Sequence, residues 1–185
     1  MTPLHEACAA GNFPIVQLLL EHGASVQNTD MLGDTALIML CDGSDSFGTL
    51  ATLSLLLSFA FIREHVNAQN HSGDTALMTA CDNNLYSVVE VLLKDQHADV
   101  HIQNKEGETA AVLALSMCHF EVLELLLLFG LDVNAVLPHF TYETLLLRSC
   151  SLGMKEAVLF LLRHGANVEQ AHSQSGETPL ILATR

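Results

Sequence analysis

TPLHEACAAGNFPIVQLLLEHGASV, residues 2–26, decides how the whole chain is read. Its opening Thr2 has counterparts further along, each preceded by an acid: Asp34-Thr35, Asp74-Thr75, Glu108-Thr109, Glu143-Thr144 and Glu177-Thr178. The steps from one threonine to the next are 33, 40, 34, 35 and 34 residues. A period in this range marks a stacked array, in which each unit buries its apolar face against its neighbours.

Every copy carries the same parts. The threonine reads as a helix N-cap, with Pro3 and Pro179 at the first helical position, where a missing N–H is harmless. A short apolar helix follows, and a break falls at Gly11, Asn84 and Gly153. The second helix ends in an apolar triplet such as Leu18-Leu19-Leu20, Val91-Leu92-Leu93 or Leu125-Leu126-Leu127. Gly23, Gly130 and Gly165 stop it, as a left-handed C-cap requires. A polar stretch of about ten residues then leads to the next threonine, its small polar residues suited to turns.

TPLHEA followed by IVQLLLEHGASV, with RHGANV, FGLDVN and SGETPL later, resembles the ankyrin repeat over the whole chain. The resemblance implies an all-α repeat solenoid of stacked helix–turn–helix units with projecting hairpin fingers. It divides the chain into repeats at 2–34, 35–74, 75–108, 109–143 and 144–177 and a partial sixth at 178–185, one ankyrin repeat domain over 1–185. It also implies a protein–protein interaction scaffold or adaptor that binds on its concave face, through fingertips and first helices.

Composition narrows the partner. Half of the residues are apolar and 15% are charged, which describes a folded, core-rich chain. The charge of −14, from 21 acids against seven bases, argues against nucleic acid or an anionic membrane and favours a protein with a basic surface. Five of the acids precede the five internal threonines, where a helix dipole welcomes them. The uncharged run 48–62 is too short for a membrane helix, and acids interrupt the longer run 110–131. No secretory signal opens the chain, so a cytoplasmic or nuclear location is expected.

Chemistry-bearing residues dissolve into the register. Cys8, Cys41, Cys81 and Cys150 each stand six residues after their threonine, at a small buried position of the first helix. Helices of successive repeats lie about 10 Å apart, beyond the roughly 7 Å that a disulfide spans. No zinc spacing, nucleophile motif or phosphate-cradling loop is present, so no catalysis, metal or cofactor is expected. His5 matches a family histidine that hydrogen-bonds between repeats, and Val66-Asn67 and Val133-Asn134 match a family pattern for asparaginyl hydroxylation.

Irregular copies point to candidate contacts. Repeat 2 has four extra residues within Asp42–Gly48 and three more between Leu57 and Val66, read either as a secondary contact or as a tolerated loop. His97 replaces a stop glycine in repeat 3. The repeat 4 finger, 134–142, is two residues longer than that of repeat 1 and alone is aromatic and apolar. Leu180 and Leu182 lack a partner helix, so both ends read as cut from a longer array, and the chain is expected to be monomeric unless that flank self-associates. The expected binding residues are Met31, Leu32, Asn70, His71, Lys105, Glu106, His139, Phe140 and Tyr142. The rival reading is a regulatory or substrate-recruiting arm of a larger enzyme. Phe140→Ala is expected to weaken partner capture with an unchanged melting temperature, whereas Leu92→Ala should lose about 2–5 kcal/mol of stability. Paired pull-down and thermal melting distinguish the two, and strong destabilisation by Phe140→Ala would overturn the fingertip assignment.

Overall fold

The computed structural model describes residues 1–94, 98–137, 143–172 and 175–184. Five helix pairs follow one another: Pro3–Ala9 (α1) with Phe13–Glu21 (α2), Ala36–Cys41 (α3) with Phe47–Leu57 (α4), Ala76–Asp82 (α6) with Tyr86–Lys94 (α7), Ala110–Ser116 (α8) with Phe120–Leu128 (α9), and Leu145–Ser151 (α10) with Lys155–Arg163 (α11). A short helix, Ala60–Glu64 (α5), follows α4, and Pro179–Leu182 (α12) comes last. Consecutive first helices α1, α3, α6 and α8 pack in one row, and second helices α2, α4, α7 and α9 in another. The architecture is an all-α repeat solenoid.

The threonine register sets where the first helices begin. Thr35, Thr75, Thr109 and Thr144 have extended backbones, and each hydroxyl accepts the N–H three residues on, at 3.2–3.4 Å. Thr178 is also extended, but its side chain makes no such bond, which corrects the expectation of a uniform cap. The turn to the second helix needs a left-handed residue nine positions after the threonine. Gly11 (φ 58), Asn84 (φ 55) and Gly153 (φ 67) supply it, and so does Cys118 (φ 58), a residue type that gave no turn signal in the sequence.

The core is an aliphatic strip. In α3 every residue is buried, because neighbouring first helices flank it and a second helix backs it. Cys8, Cys41 and Cys81 are fully buried within this strip. The backbones of α8 and α10 approach less closely than those of the earlier first helices. Side chains span that seam: the Phe120 and Phe160 rings stack with centroids 5.1 Å apart, and Arg148 Nη2 lies 3.7 Å from Glu108 Oε1. At the far end Leu180 is 74% exposed, while Leu182 packs on the core.

The repeat 2 additions are ordered structure. The residues after Leu57 form α5, which turns Ile62 into the core. The longer inter-helix segment lies against repeats 1 and 3, so it is a packed element and not a free loop. His97 lies outside the described residues, as does the stretch 138–142 with the candidates His139, Phe140 and Tyr142. The two ends of that finger, Val136–Leu137 (β1) and Glu143–Thr144 (β2), pair antiparallel.

The earlier fingers are tight turns tied to one another. Asp30 Oδ1 accepts the N–H groups of Leu32 (2.8 Å) and Asp34 (3.0 Å). Asn70 does the same for Ser72 and Asp74, and Asn104 for Glu106 and Glu108. Their amide nitrogens donate backward, Asn70 to Asp34 (2.8 Å) and Asn104 to Asp74 (2.9 Å). Backbone bonds run beside them, from the His71 N–H to the Leu32 carbonyl (2.8 Å) and from the Lys105 N–H to the Ser72 carbonyl (2.9 Å). Gly33 and Gly73 have positive φ, and a Cβ on Gly73 would stand 2.8 Å from the Lys105 nitrogen, so both backbone shape and closeness demand glycine. The acids before Thr35 and Thr75, expected to serve the helix dipole, are thus also acceptors between fingers.

Asp30 alone of the three turn acceptors titrates. The Asp34 N–H, with the Leu32 N–H behind it, holds its carboxyl below the usual value. A depressed carboxyl stabilises above its unfolded pKa of about 3.9 and loses that contribution as pH falls through the folded value. In NMR titration below about pH 4, the Leu32 amide should lose its hydrogen-bonded shift while the amides of Ser72 and Glu106 keep theirs. Equal responses at all three would contradict this account.

Candidate functional site

Fingers and first helices enclose a groove of about 610 Å³ that runs across repeats 2 to 4. Asp34, Asn70, His71, Ser72, Asp74, Asn104, Lys105, Glu106 and Glu108 form its finger wall, and Ile38, Met39, Asp42, Thr79, Asp82, Asn83 and Leu113 its helix wall. Six carboxylates therefore face one lysine and one histidine. Asp34, Asp74 and Glu108 are engaged in the finger ladder or with Arg148. Among the described residues, Asp42 and Asp82 are exposed and have no cationic partner. A cation about 4 Å from such a carboxylate gains from about 1 kcal/mol in bulk water to about 4 kcal/mol at the effective permittivity near a protein surface.

Of the expected binding residues, Asn70, His71, Lys105 and Glu106 come together in this groove. Met31 (88% exposed) and Leu32 (65%) stand on the first fingertip, outside its lining. Asp42 and Asp82, which also line the groove, were not among the expected residues. Both lie seven residues after their threonine, at the end of a first helix, and that shared register position was the available signal. Asn67 and Asn134 make inter-repeat bonds: Asn67 Oδ1 accepts the Asp99 N–H (2.9 Å) and Asn134 Oδ1 the Asn167 N–H (2.8 Å).

Histidines act as fixed connectors. His5 is 1% exposed; its Nδ1 accepts the Thr2 N–H (3.1 Å), which leaves Nε2 to donate to the Asn28 carbonyl (3.1 Å). Both residues lie in repeat 1, so the bond joins α1 to the finger of its own repeat, whereas the resemblance implied a bond between neighbouring repeats. His22, His65 and His164 each turn Nδ1 back onto the carbonyl four residues earlier, at 2.8–2.9 Å; His22 and His164 close the second helices α2 and α11, and His65 closes α5. Among the described residues no three His, Cys, Asp or Glu side chains are grouped to hold a metal ion. No described helix is long and apolar enough to cross a membrane.

The family pattern "Ankyrin repeats (3 copies)" matches residues 46–136, and "Ankyrin repeat" matches residues 1–31. The chain belongs to the ankyrin-repeat family. Ankyrin repeats are protein-interaction modules, and the family is generally non-catalytic. The B-cell lymphoma 3 protein homolog of Mus musculus is 29% identical over 185 residues, covering 98% of this chain and 39% of that protein. A probable E3 ubiquitin-protein ligase, XBOS33, of Oryza sativa subsp. japonica is 39% identical over 95 residues, which is 51% of this chain and 17% of the ligase. The ankyrin repeat and KH domain-containing protein mask of Drosophila melanogaster is 36% identical over 107 residues, 58% of this chain and 3% of that protein. This ankyrin chain thus spans well under half the length of each of these relatives.

All five cysteines are free thiols. Burial pushes Cys8 up to about 12 and also raises Cys41, Cys81 and Cys150. Cys118 is exposed on its turn. A native-state thiol titration should therefore show one fast-reacting group, abolished by Cys118→Ser, and five groups after unfolding. Two or more fast thiols in the native chain would contradict the buried assignments.

Proposed function

We propose that this ankyrin chain is an adaptor that takes a basic, extended segment of a protein partner into the groove between its fingers and first helices. The observation that carries the reading is the charge of that groove: six carboxylates against Lys105 and His71, with Asp42 and Asp82 lacking cationic partners among the described residues. Arg148 pairs with Glu108 at the repeat 5 side, so the acidic character is concentrated over repeats 2 and 3. Met31 and Leu32 offer an apolar contact beside the acidic wall. Catalysis is assigned to none of these residues. Buried thiols suit a reducing compartment, the cytoplasm or nucleus.

A second reading has its own support. One relative is a probable E3 ubiquitin-protein ligase of which this chain matches 17%. The same groove in a longer protein would then recruit a substrate for a neighbouring enzymatic domain. The groove chemistry is identical in both readings, and only the attached sequence differs.

Fluorescence anisotropy with a labelled Lys/Arg-rich peptide tests the reading. Binding should weaken as salt rises, because screened charge pairs carry it. Asp42→Asn with Asp82→Asn should reduce affinity about tenfold, about 1.4 kcal/mol, with the fold intact by circular dichroism. An unchanged affinity, or no binding at low salt, would overturn the acidic groove as the partner site.

A further inference from the structure

The extra inter-helix residues of repeat 2 do more than lengthen a turn. Toward repeat 1, Gly43 and Gly48 lie directly on the turn of α1 and α2. A Cβ on Gly43 would stand 2.7 Å from the Ala9 carbonyl oxygen, and one on Gly48 would collide with the Gly11 carbonyl oxygen. Toward repeat 3, Asp45 Oδ2 accepts the Ser87 N–H at 3.1 Å, in the first turn of α7. The residue before α7 is Leu85, which has no side-chain acceptor; Asn12 and Ser46 cap α2 and α4 from their own repeats, while His119 and Met154 before α9 and α11 make no side-chain cap. Repeat 2 therefore supplies the cap that repeat 3 lacks.

The segment itself is braced. Thr49, 1% exposed, donates its hydroxyl to the Ser44 carbonyl (2.6 Å), and Ser46 Oγ accepts the Thr49 N–H (3.2 Å). A second tie lies beside the first, since Asn83 Nδ2 donates to the Cys41 carbonyl at 3.2 Å. In a linear array each repeat touches only its neighbours, and openings propagate from any seam. Here one segment touches the repeats on both sides at once.

We propose that the repeat 2 insertion is a clamp that makes repeats 1, 2 and 3 open as one unit, with Asp45 as the positioning residue that extends it into repeat 3. Asp42 begins the clamped segment, and Asp82 ends α6, directly before the turn that the two ties hold. The clamp thus fixes the spacing of the two groove carboxylates, a consequence that rests on the function proposed above.

Native-state hydrogen exchange of the 185-residue chain, across a urea series, tests the clamp. Amides of α1, α3 and α6 should converge on one opening reaction. Asp45→Ala should speed exchange in α6 and α7 roughly 2- to 30-fold, the range of a lost helix cap, and by more than in α1 and α3, so that α6 no longer shares their opening. Asp45→Asn removes the same charge but keeps a capping oxygen, so it should restore the original rates. Gly48→Ala should instead release repeat 1. Separate openings of α1 and α6 in the unaltered chain would overturn the proposal, as would equal rates for Asp45→Ala and Asp45→Asn. With the labelled Lys/Arg-rich peptide, Asp45→Ala should bind more weakly than Asp45→Asn, and equal affinities would overturn the link to the groove. Failure of the unaltered chain to bind peptide would strike the acidic-groove reading alone, because the exchange result is read without any ligand.

Discussion

A carboxamide has an acceptor and a donor on one planar group, and the finger edge of this ankyrin chain is built on that fact. Asn70 and Asn104 spend the oxygen on two N–H groups of their own turn and the nitrogen on an acid of the preceding finger. One side chain therefore sets both the shape of a finger and its distance from the next. Asp30, the matching residue of the first described finger, is a carboxylate and has no amide donor to spend. The following finger bonds back to the acid before Thr35, so the ladder and the helix register are set by neighbouring residues.

The groove inherits its character from this arrangement. Acids that serve the ladder line the finger wall, while acids at the ends of α3 and α6 line the helix wall. The first group is held by amides and the second is exposed to water. A ligand thus meets a wall whose geometry is already fixed, and little ordering entropy is lost on its binding. In the proposed adaptor role, ion pairs of this kind would add more to encounter rate and selectivity than to raw affinity.

Much of the architecture was legible because it depends on local chemistry. Thr35, Thr75, Thr109 and Thr144 cap helices through bonds to residues three positions away, and Gly23, Gly130 and Gly165 end them through their own φ. Such signals survive in a linear text. Asn70, His71, Lys105 and Glu106 were legible as fingertip residues for the same reason, since a finger is a contiguous segment. Asp42 and Asp82 were not legible in this way, because their partnership exists only after first helices stack side by side. Cys118 broke the turn rule by adopting a left-handed backbone without being Gly or Asn. Least legible was Asp45, whose partner Ser87 lies 42 positions away and in a different repeat.

That last contact bears on how the array can change over evolutionary time. Repeat proteins grow and shrink by duplication or loss of single units, which is harmless when every unit is self-sufficient and interchangeable. Repeat 3 here is not self-sufficient: the start of α7 borrows its acceptor from the unit before it. A copy of repeat 3 inserted elsewhere would arrive without a cap, and loss of repeat 2 would uncover the original. The two units are therefore coupled at this boundary, and a recombination that separates them deprives the start of α7 of its acceptor.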